Sequence, residues 1–522
     1  MRVSQNADDK PTELTPGLRR FLYLTIFTTG AAILIVEILG AKMLSPFFGT
    51  SHFVWTAQIA VTLVSLSIGY WFGGWLVDRS PRLNLLYRCL LGAGVYLGLT
   101  IPLCSSVSLA CLKMPLAVGS LFASLFLFFV PLTLLAVTGP FVVRIFTSNV
   151  SSVGGNVGRI SAISTIGSVI GTILIGYVLI PLMANSVTMF VVSGVLIVLP
   201  LVYFVIWKNK SELPAATALA ILAGIAGGLG VKNDGKVDTA GWVEIDRVNS
   251  NFGLMQVMES SDGTRRDYLN DYLTQNTYDP ETGQSTSLFT HMLHGLAKVY
   301  TQETDDVLCI GMGIGIVPML FAEEGSTVDV VEINDKIAGL AERHFGLKPA
   351  KLNLTIGDGR YFVNSCQKRY DAVILDAFLG DSSPSHLLSQ EAFAQMKRVL
   401  LPEGVLVINC FGEFEPGKDF FTASLDKTLK SVFTSVRIHA TGNGNVFFVA
   451  SAAPQLTQHR EIDYDAAHPS MPFRMRNCMS GIKVTIPENG IVLTDDYNPV
   501  DFHDAENREG FRRNLAREMH EG

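Results

Sequence analysis

Three acidic residues in the second half of the chain each follow a short apolar stretch. Glu332 closes "TVDVVE", Asp358 follows "LNLTIG" and Asp376 closes "YDAVILD". A glycine-rich turn precedes them, with Gly311, Gly313 and Gly315. Glycine lets a backbone approach a ligand closely, and a carboxylate accepts hydrogen bonds from hydroxyl and amino groups. The set predicts a nucleoside site in which Glu332 binds the ribose hydroxyls, Asp358 binds the adenine amino group, and Asp376 faces the reactive end.

A regular alternation of predicted strands and helices positions these residues. The predicted strands are "DVLCIG", "TVDVVEIN", "LNLTIGD", "YDAVILD" and "GVLVINC", with helical segments between them. Such alternation builds a parallel sheet covered by helices on both faces, and ligands bind at the carboxyl ends of its strands. Residues 242–277 predict a small β-rich cap, and "STSLFTHMLHGLAKVY" a helix. We therefore expect a C-terminal α/β Rossmann-like unit with all three acids at one sheet edge.

Other common motifs are incomplete or missing in the sequence. A dinucleotide turn needs a third glycine where Ile316 stands, and the chain has no P-loop lysine, no nucleophile-elbow serine and no HExxH. The cysteines lack metal spacing, and His291 and His294 have no obvious carboxylate or thiolate companions, so we expect no metal site. The net charge of −7, without a basic run longer than a pair, argues against a nucleic-acid partner.

The first half of the chain has the composition of a membrane protein. Hydrophobic residues make up 48% of the sequence and charged residues 17%, and the apolar excess lies before Lys232. Six stretches have the length and composition to cross a bilayer, and a seventh, rich in Ala and Gly, is marginal. They cover residues 21–44, 53–77, 85–107, 115–138, 158–182, 187–207 and 214–231. The sequence therefore predicts a multi-span helical domain with the lipid bilayer as its partner.

Basic residues in alternate loops predict a cytoplasmic N-terminus. Six crossings would return the C-terminal half to the cytoplasm, whereas seven would place it outside, away from the nucleotide pool. We expect an inner (cell) membrane protein with a cytoplasmic C-terminal unit and a seventh segment that lies in or re-enters the interface.

Glu37 lies inside the first predicted span. A carboxylate there is costly unless it is paired, protonated or hydrated, so a substrate or proton role and a structural hydrogen bond both stay open. Small residues at every fourth position predict close helix packing in two other spans. These are Gly69, Gly73, Gly167 and Gly171.

Together, the motifs resemble those of the spermidine synthase family, the polyamine aminopropyltransferases. "VLCIGMGIG", "VVEIN", "GDGR" and "YDAVILDAF" have the family's order and spacing within residues 242–450. "LTDDYNPVD", "LSPFFGTS", "GYWFGG" and "LIP" also resemble the bacterial subgroup in which a multi-span membrane domain is fused to this domain. The resemblance implies a methyltransferase-type sheet with a β-stranded cap, and S-adenosylmethionine or its decarboxylated form as co-substrate.

The resemblance also implies roles for individual residues. Glu332 would hold the ribose, Asp358 with Gly359 the adenine, and the turn of Gly311–Gly315 the sulfonium side chain. Gln275 lies where the family has a glutamine that contacts this cofactor. Asp376 would orient an amine and accept its proton, because a sulfonium is already activated and mainly needs a neutral amine placed in line with one of its carbons.

The sequence departs from the family where the family binds amines. Ile314 stands in place of an acid in the glycine turn, and Asp381 is displaced by two residues. Phe289 and His291 replace a tyrosine and a glutamate. A dicationic polyamine needs several carboxylates, because burying an unpaired ammonium is costly. We therefore expect an acceptor other than simple putrescine, either a small-molecule amine or a lipid-phase acceptor, with Asp381, His291 and Glu37 as candidate substrate contacts.

Three other functions stay open beside aminopropyl transfer. They are methyl transfer from S-adenosylmethionine, its cleavage by a lyase that releases methylthioadenosine, and transport by the spans with nucleotide sensing by the C-terminal unit. A homodimer is also left open. The expected domains are a cytoplasmic N-terminal segment (1–20), a transmembrane domain (21–235), the cap and linker helix (238–300), the nucleotide-binding domain (301–500) and a charged tail (501–522).

Overall fold

The chain divides into two compact units, Met1–Lys236 and Val237–Gly522. The computed structural model describes residues 14–49, 52–147, 153–207, 212–233, 241–378, 384–442 and 444–503. Each unit is described by itself below.

The described residues of the N-terminal unit form helices joined by short connections. Its helices are α1 (Pro16–Phe48), α2 (His52–Arg79), α3 (Leu83–Cys111), α4 (Leu116–Ala136), α5 (Thr138–Phe146), α6 (Val153–Leu174), α7 (Ile180–Leu182), α8 (Asn185–Ile206) and α9 (Leu213–Asn233). A π-helical turn, Ile175–Leu179, joins α6 to α7. Helix α1 packs along α6, α2 along α4, and α3 along α8 and α9.

Glycines allow two of these helix pairs to approach closely, as predicted. A Cβ at Gly167 or Gly171 would lie 2.2 Å or 2.6 Å from a backbone oxygen of α1. A Cβ at Gly69 would lie 2.5 Å from the Thr133 carbonyl oxygen of α4, and a Cβ at Gly73 would lie 2.9 Å from the Cα of Val137, which follows α4. A larger residue at these positions would push the helices apart.

Seven helical segments in the described part of this unit are long and apolar enough to cross a membrane. We expected the seventh to lie in or re-enter the interface. It forms one unbroken helix, α9, which packs along α3 and α8 and meets the same length and composition criteria as the others. Glu37 in α1 is partly exposed, with the Thr62 side chain in hydrogen-bonding contact.

The C-terminal unit begins with a five-stranded antiparallel sheet, which matches the predicted cap. Its strands follow the order of the chain: β1 (Trp242–Ser250), β2 (Gly253–Ser260), β3 (Arg266–Asn270), β4 (Leu273–Asp279) and β5 (Gln284–Ser285). Helix α10 (Leu288–Tyr300) then leads into the second sheet.

The second sheet has eight strands in the order β13-β11-β12-β10-β9-β6-β7-β8. Its strands are β6 (Asp306–Ile310), β7 (Thr327–Glu332), β8 (Asn353–Ile356), β9 (Tyr370–Leu375), β10 (Leu400–Gly412), β11 (Ser435–Ala440), β12 (Gly444–Ser451) and β13 (Ile482–Lys483). The helices of this part are α11 (Ile316–Glu323), α12 (Ile337–His344), α13 (Gly359–Ser365), α14 (Gln390–Arg398), α15 (Phe420–Val432), α16 (Pro472–Ser480) and α17 (Val500–His503). Strands β6 to β10 are parallel, whereas β12 and β13 run antiparallel to their neighbours.

Successive residues of the central strands enter two separate cores. In β6, Val307 and Cys309 pack with α10, α11 and α12, while Leu308 and Ile310 pack with α13, α14 and α15. Side chains alternate across a strand, so a strand of continuous apolar residues must be covered on both faces. The predicted Rossmann-like, methyltransferase-type sheet is therefore confirmed for this unit.

Candidate functional site

The glycine turn lies where three strand ends meet. The Gly311 N–H donates to the Val331 carbonyl oxygen at 2.9 Å, and the Asp376 N–H donates to the Ile310 carbonyl oxygen at 3.0 Å. Gly311 has a φ of 89°, and a Cβ there would lie 2.2 Å from the Asp376 carbonyl oxygen. Only glycine accommodates both the φ and the contact, so this residue allows β6 and β9 to end side by side.

Glu332 is a buried carboxylate held by backbone donors at the end of β7. Its Oε2 accepts the Met312 N–H at 2.9 Å and its Oε1 accepts the Asn334 N–H at 2.8 Å. Burial raises the pKa of Glu332, while the backbone N–H groups around it favour the ionised form. The carboxylate is fixed in place, and its remaining lone pairs are suited to two adjacent hydroxyl groups.

Asp358 caps the N-terminus of α13 after β8. Its Oδ1 accepts the Tyr361 N–H at 2.8 Å, and its Oδ2 lies 3.1 Å from the Nε2 of His386. The neighbouring Gly359 lies against the side chain of Ile310, since a Cβ there would be 2.5 Å from it. These contacts hold Asp358 beside the turn that follows β6.

Asp376 is oriented by a chain of two amides. The Asn445 Nδ2 donates to the Asn409 Oδ1 at 2.9 Å, and the Asn409 Nδ2 donates to the Asp376 Oδ1 at 2.8 Å. Burial raises the pKa of Asp376 to about 6, although the hydrogen bond from Asn409 favours the ionised form. The carboxylate therefore titrates close to neutral pH, where a side chain can accept a proton from a reacting group.

These residues line a single cavity of about 530 Å³, within the usual size range of small-molecule sites. The sequence-predicted residues on its wall are Gln275, Gly311, Gly313, Glu332, Asp358, Gly359 and Asp376. The strand order places Asp358, Glu332, the glycine turn and Asp376 on neighbouring strands β8, β7, β6 and β9. The three acids thus converge on one space, as the positions of the strand ends predict.

Two other predicted residues of the C-terminal unit, Gly315 and His291, are not on this wall. Gly315 is the N-cap residue of α11 and packs against Leu347. A Cβ at Gly315 would lie 2.4 Å from the Leu347 side chain. His291 is buried, and its Nε2 donates to the Ser285 carbonyl oxygen at 2.7 Å, so we no longer assign it to the substrate. Glu37 belongs to the N-terminal unit. Asp381 lies outside the described residues.

The structure adds residues to the cavity wall that the sequence motifs did not identify. Asn409 is a polar residue inside the apolar strand "GVLVINC". A polar side chain within such a strand is the sequence feature that could have identified it as a site residue. His386 and Arg474 also line the cavity, but they stand in no recognisable motif. Within the described ranges, no group of three or more His, Cys, Asp or Glu residues is placed to hold a metal ion.

Residues 493–500, "LTDDYNPV", which we call the DDYNP segment, form hydrogen bonds that hold the loop before α14 in place. Arg360 pairs with Asp495 at 2.8 Å, and Asp495 also accepts a hydrogen bond from Ser389. The Asn498 Nδ2 donates to the Ser385 carbonyl oxygen at 2.9 Å. The same loop carries His386, the partner of Asp358, so the segment holds one wall of the cavity in position.

Comparisons with known proteins concern the C-terminal unit. The family profile described as spermine/spermidine synthase domain matches residues 286–442. The polyamine aminopropyltransferase of Vibrio vulnificus (strain CMCP6) is 26% identical over 211 residues, which cover 38% of this chain and 70% of that protein. The N-terminal histidine N-methyltransferase of Emericella nidulans is 29% identical over 168 residues, which cover 31% of this chain and 27% of that protein.

Among solved structures, a probable spermidine synthase from Corynebacterium glutamicum ATCC 13032 aligns with 40% of this chain and 80% of its own, at 18% identity and a TM-score of 0.36. The family match itself runs from just before α10 to just after β11. It therefore includes the glycine turn and all three acids.

Proposed function

Because residues 286–442 place this chain in the spermine/spermidine synthase family, we propose that it is a transferase that moves a group from a sulfonium nucleoside to an amine. The co-substrate is S-adenosylmethionine or its decarboxylated form. The observation that carries the proposal is the convergence of Glu332, Asp358 and Asp376 on one cavity, in the order that such a nucleoside requires.

The reaction follows from the positions of these residues. Asp358 and Glu332 bind the adenine and ribose, and the glycine turn holds the sulfonium side chain beside Asp376. The lone pair of the amine attacks a carbon on sulfur, the carbon–sulfur bond breaks, and its electron pair stays on the sulfur of the departing thioether. The amine proton passes to Asp376. Most of the rate enhancement then comes from placing the two reactants in line.

The experiment that tests this function identifies the nucleoside product. Full-length protein purified in detergent is incubated with S-adenosylmethionine or its decarboxylated form, with and without an amine. S-adenosylhomocysteine indicates methyl transfer, which the methyltransferase relative keeps open. Methylthioadenosine that requires the amine indicates aminopropyl transfer, and methylthioadenosine without an amine indicates cleavage. Absence of any nucleoside product contradicts the proposal and favours the sensing alternative.

Glu332→Gln is expected to weaken nucleoside binding by roughly 10- to 100-fold, because the amide loses the charge and turns an N–H₂ group toward the Met312 or Asn334 N–H. Calorimetry with methylthioadenosine measures the effect. Glu324→Gln is the matched control, since Glu324 pairs with Lys298 and is not on the cavity wall. Unchanged affinity in Glu332→Gln would remove the ribose role.

The pH dependence of kcat is expected to follow the ionisation of the Asp376 carboxylate. Activity should rise with pH through about 6 as the carboxylate ionises, since only the ionised form accepts a proton. Asn409→Leu removes a hydrogen bond that favours the ionised form, so the midpoint should move to higher pH. Asn353→Leu, which also removes an amide bound to a carboxylate (Asp329) but lies elsewhere, should leave it in place. A midpoint that does not move in Asn409→Leu contradicts the assignment.

We also propose that the N-terminal unit is embedded in the bilayer and that the C-terminal unit faces the cytoplasm, where its co-substrate is made. The length and composition of seven helices support the first part. A cytoplasmic N-terminus and a cytoplasmic C-terminal unit require an even number of crossings. We therefore propose that α9, although long and apolar enough to cross, lies in or re-enters the interface and does not cross completely.

A further inference from the structure

One wall of the cavity carries a cation that has no acidic partner within the described ranges. Arg474, on α16, lines the cavity and is exposed. No described side chain forms an ion pair or a hydrogen bond with its guanidinium. The nearby Arg476 on the same helix instead stacks on Tyr464, with its Cζ 4.9 Å from the ring centroid, and is not on the wall.

Arg474 lies at the end of the cavity away from the nucleoside acids. Helix α16 packs on β11 and α10. Along the sheet, β10, β12 and β11 extend beyond Asp376 on the side opposite to β7 and β8. Phe411, Thr441 and Asn445 from these strands and the turn that follows β11 line the same end. An acceptor that reaches Asp376 from this side therefore meets Arg474.

Among the described residues, this end of the cavity lacks the negative charge that a second ammonium group would need. The acids on the described wall are Glu332, Asp358 and Asp376, and the first two hold the nucleoside in the proposed function. Ser287, Phe289 and Thr290, at the N-terminus of the 13-residue helix α10, also line the cavity and add no carboxylate. The partial positive charge of a helix N-terminus adds to that of Arg474. A diamine would place an ammonium in a positive field, whereas an anion would be attracted.

We propose that the acceptor is a zwitterionic amine, whose anionic group, a carboxylate or a phosphate, binds Arg474 while its amino group lies at Asp376. This inference rests on the proposed function and names its substrate class. A guanidinium binds a carboxylate or a phosphate through two parallel N–H donors, which fixes the orientation of the acceptor as well as its charge. Arg474 is thus the residue that selects the acceptor.

The same chemistry is available from two sources. A free amino acid offers a carboxylate beside an amine, and the headgroup of an aminophospholipid offers a phosphate beside one. The apolar helices of the N-terminal unit make the second source relevant.

The test compares probes that differ only in the anionic group. Full-length protein is first saturated with methylthioadenosine, and the binding of ornithine and putrescine is then measured, together with phosphoethanolamine and ethanolamine. Ornithine is putrescine with one added carboxylate. We expect at least one acid-bearing probe to bind ten-fold or more tightly than its partner. Arg474→Gln should abolish that preference, Arg474→Glu should reverse it, and the control Arg476→Gln should retain it.

Each result has a defined meaning. Four results would overturn the proposal while the transferase stands. They are a preference for the amines without an acid, equal binding, binding of none of the four probes, and a preference that survives in Arg474→Gln. Failure of methylthioadenosine itself to bind overturns the proposed function instead. Because Arg474 is exposed, its variants are expected to keep the thermal midpoint of the parent protein.

Nanodiscs distinguish the two sources. Protein in phosphatidylethanolamine or phosphatidylcholine nanodiscs receives a co-substrate labelled in the group to be transferred, with ornithine outside. Label in phosphatidylethanolamine supports a lipid headgroup, and label in ornithine supports a free acceptor. Label that appears only when putrescine is supplied contradicts both forms of the proposal.

Discussion

Replacing Asp376 with Asn is expected to lower turnover by roughly a thousandfold and to leave nucleoside binding nearly unchanged. The amide keeps the oxygen that accepts the Asn409 hydrogen bond but cannot take up the amine proton. Steady-state kinetics of the full-length protein and calorimetry with methylthioadenosine measure the two effects. Turnover equal to that of the parent protein would remove the catalytic role of Asp376.

The same replacement is expected to stabilise the fold. The folded-state pKa of Asp376 is raised to about 6, so the folded protein binds this proton more tightly than the unfolded chain does. The carboxylate therefore destabilises the fold above pH 6, by roughly 3 kcal/mol at most, and this cost disappears as the pH falls below about 4. The thermal midpoint of Asp376→Asn should exceed that of the parent protein at pH 8 and equal it near pH 4.

Asp371→Asn is the matched control, because Asp371 lies at the opposite end of the same strand. Its Oδ2 accepts the Asp306 N–H at 2.9 Å, and an amide oxygen can do the same. This variant should keep normal turnover. A thousandfold loss in Asp371→Asn would mean that the strand, rather than the charge of Asp376, is responsible.

Gly311→Ala is expected to damage both the fold and the nucleoside site. The residue has a φ of 89°, and its new Cβ would lie 2.2 Å from the Asp376 carbonyl oxygen, a backbone atom that moves only if β9 moves. Backbone strain and overpacking together should cost roughly 3 kcal/mol or more. Thermal unfolding and methylthioadenosine binding measure the two effects.

Gly313→Ala separates the effect of backbone strain from the effect of a close contact of the new Cβ. Gly313 also has a positive φ, 53°, but a Cβ there would have no heavy atom within 4 Å. Only the strain remains, so the stability loss should be about 1–2 kcal/mol. An equal loss in both variants would show that the close approach of Gly311 to Asp376 does not matter for stability.

The central sheet and the three acids are predictable because they depend on local patterns. Continuous apolar strands such as "DVLCI" must be covered on both faces, and the residues that end parallel strands must meet at one edge. The family match and the shared cavity agree with that reasoning. The positions of Glu332, Asp358 and Asp376 follow from it without any long-range information.

The rest of the cavity depends on tertiary packing. The family's motif would place His291 toward the amine, but it is buried against Ser285, while its neighbours Phe289 and Thr290 reach the cavity. Arg474 stands about a hundred residues beyond Asp376, on a helix that no motif identifies. A sequence pattern indicates which face of a helix is apolar, but not which residue of a distant helix closes a cavity.

The DDYNP segment has a consequence for how the protein is made. Asp495 follows Ser389, its partner, by 106 residues. During translation, the apolar helices and the whole parallel sheet leave the ribosome before this partner exists. The loop that carries His386 can therefore be fixed against Asp358 only after the DDYNP segment has been synthesised. A nascent chain halted before residue 493 would possess every acid of the site yet lack the element that closes it.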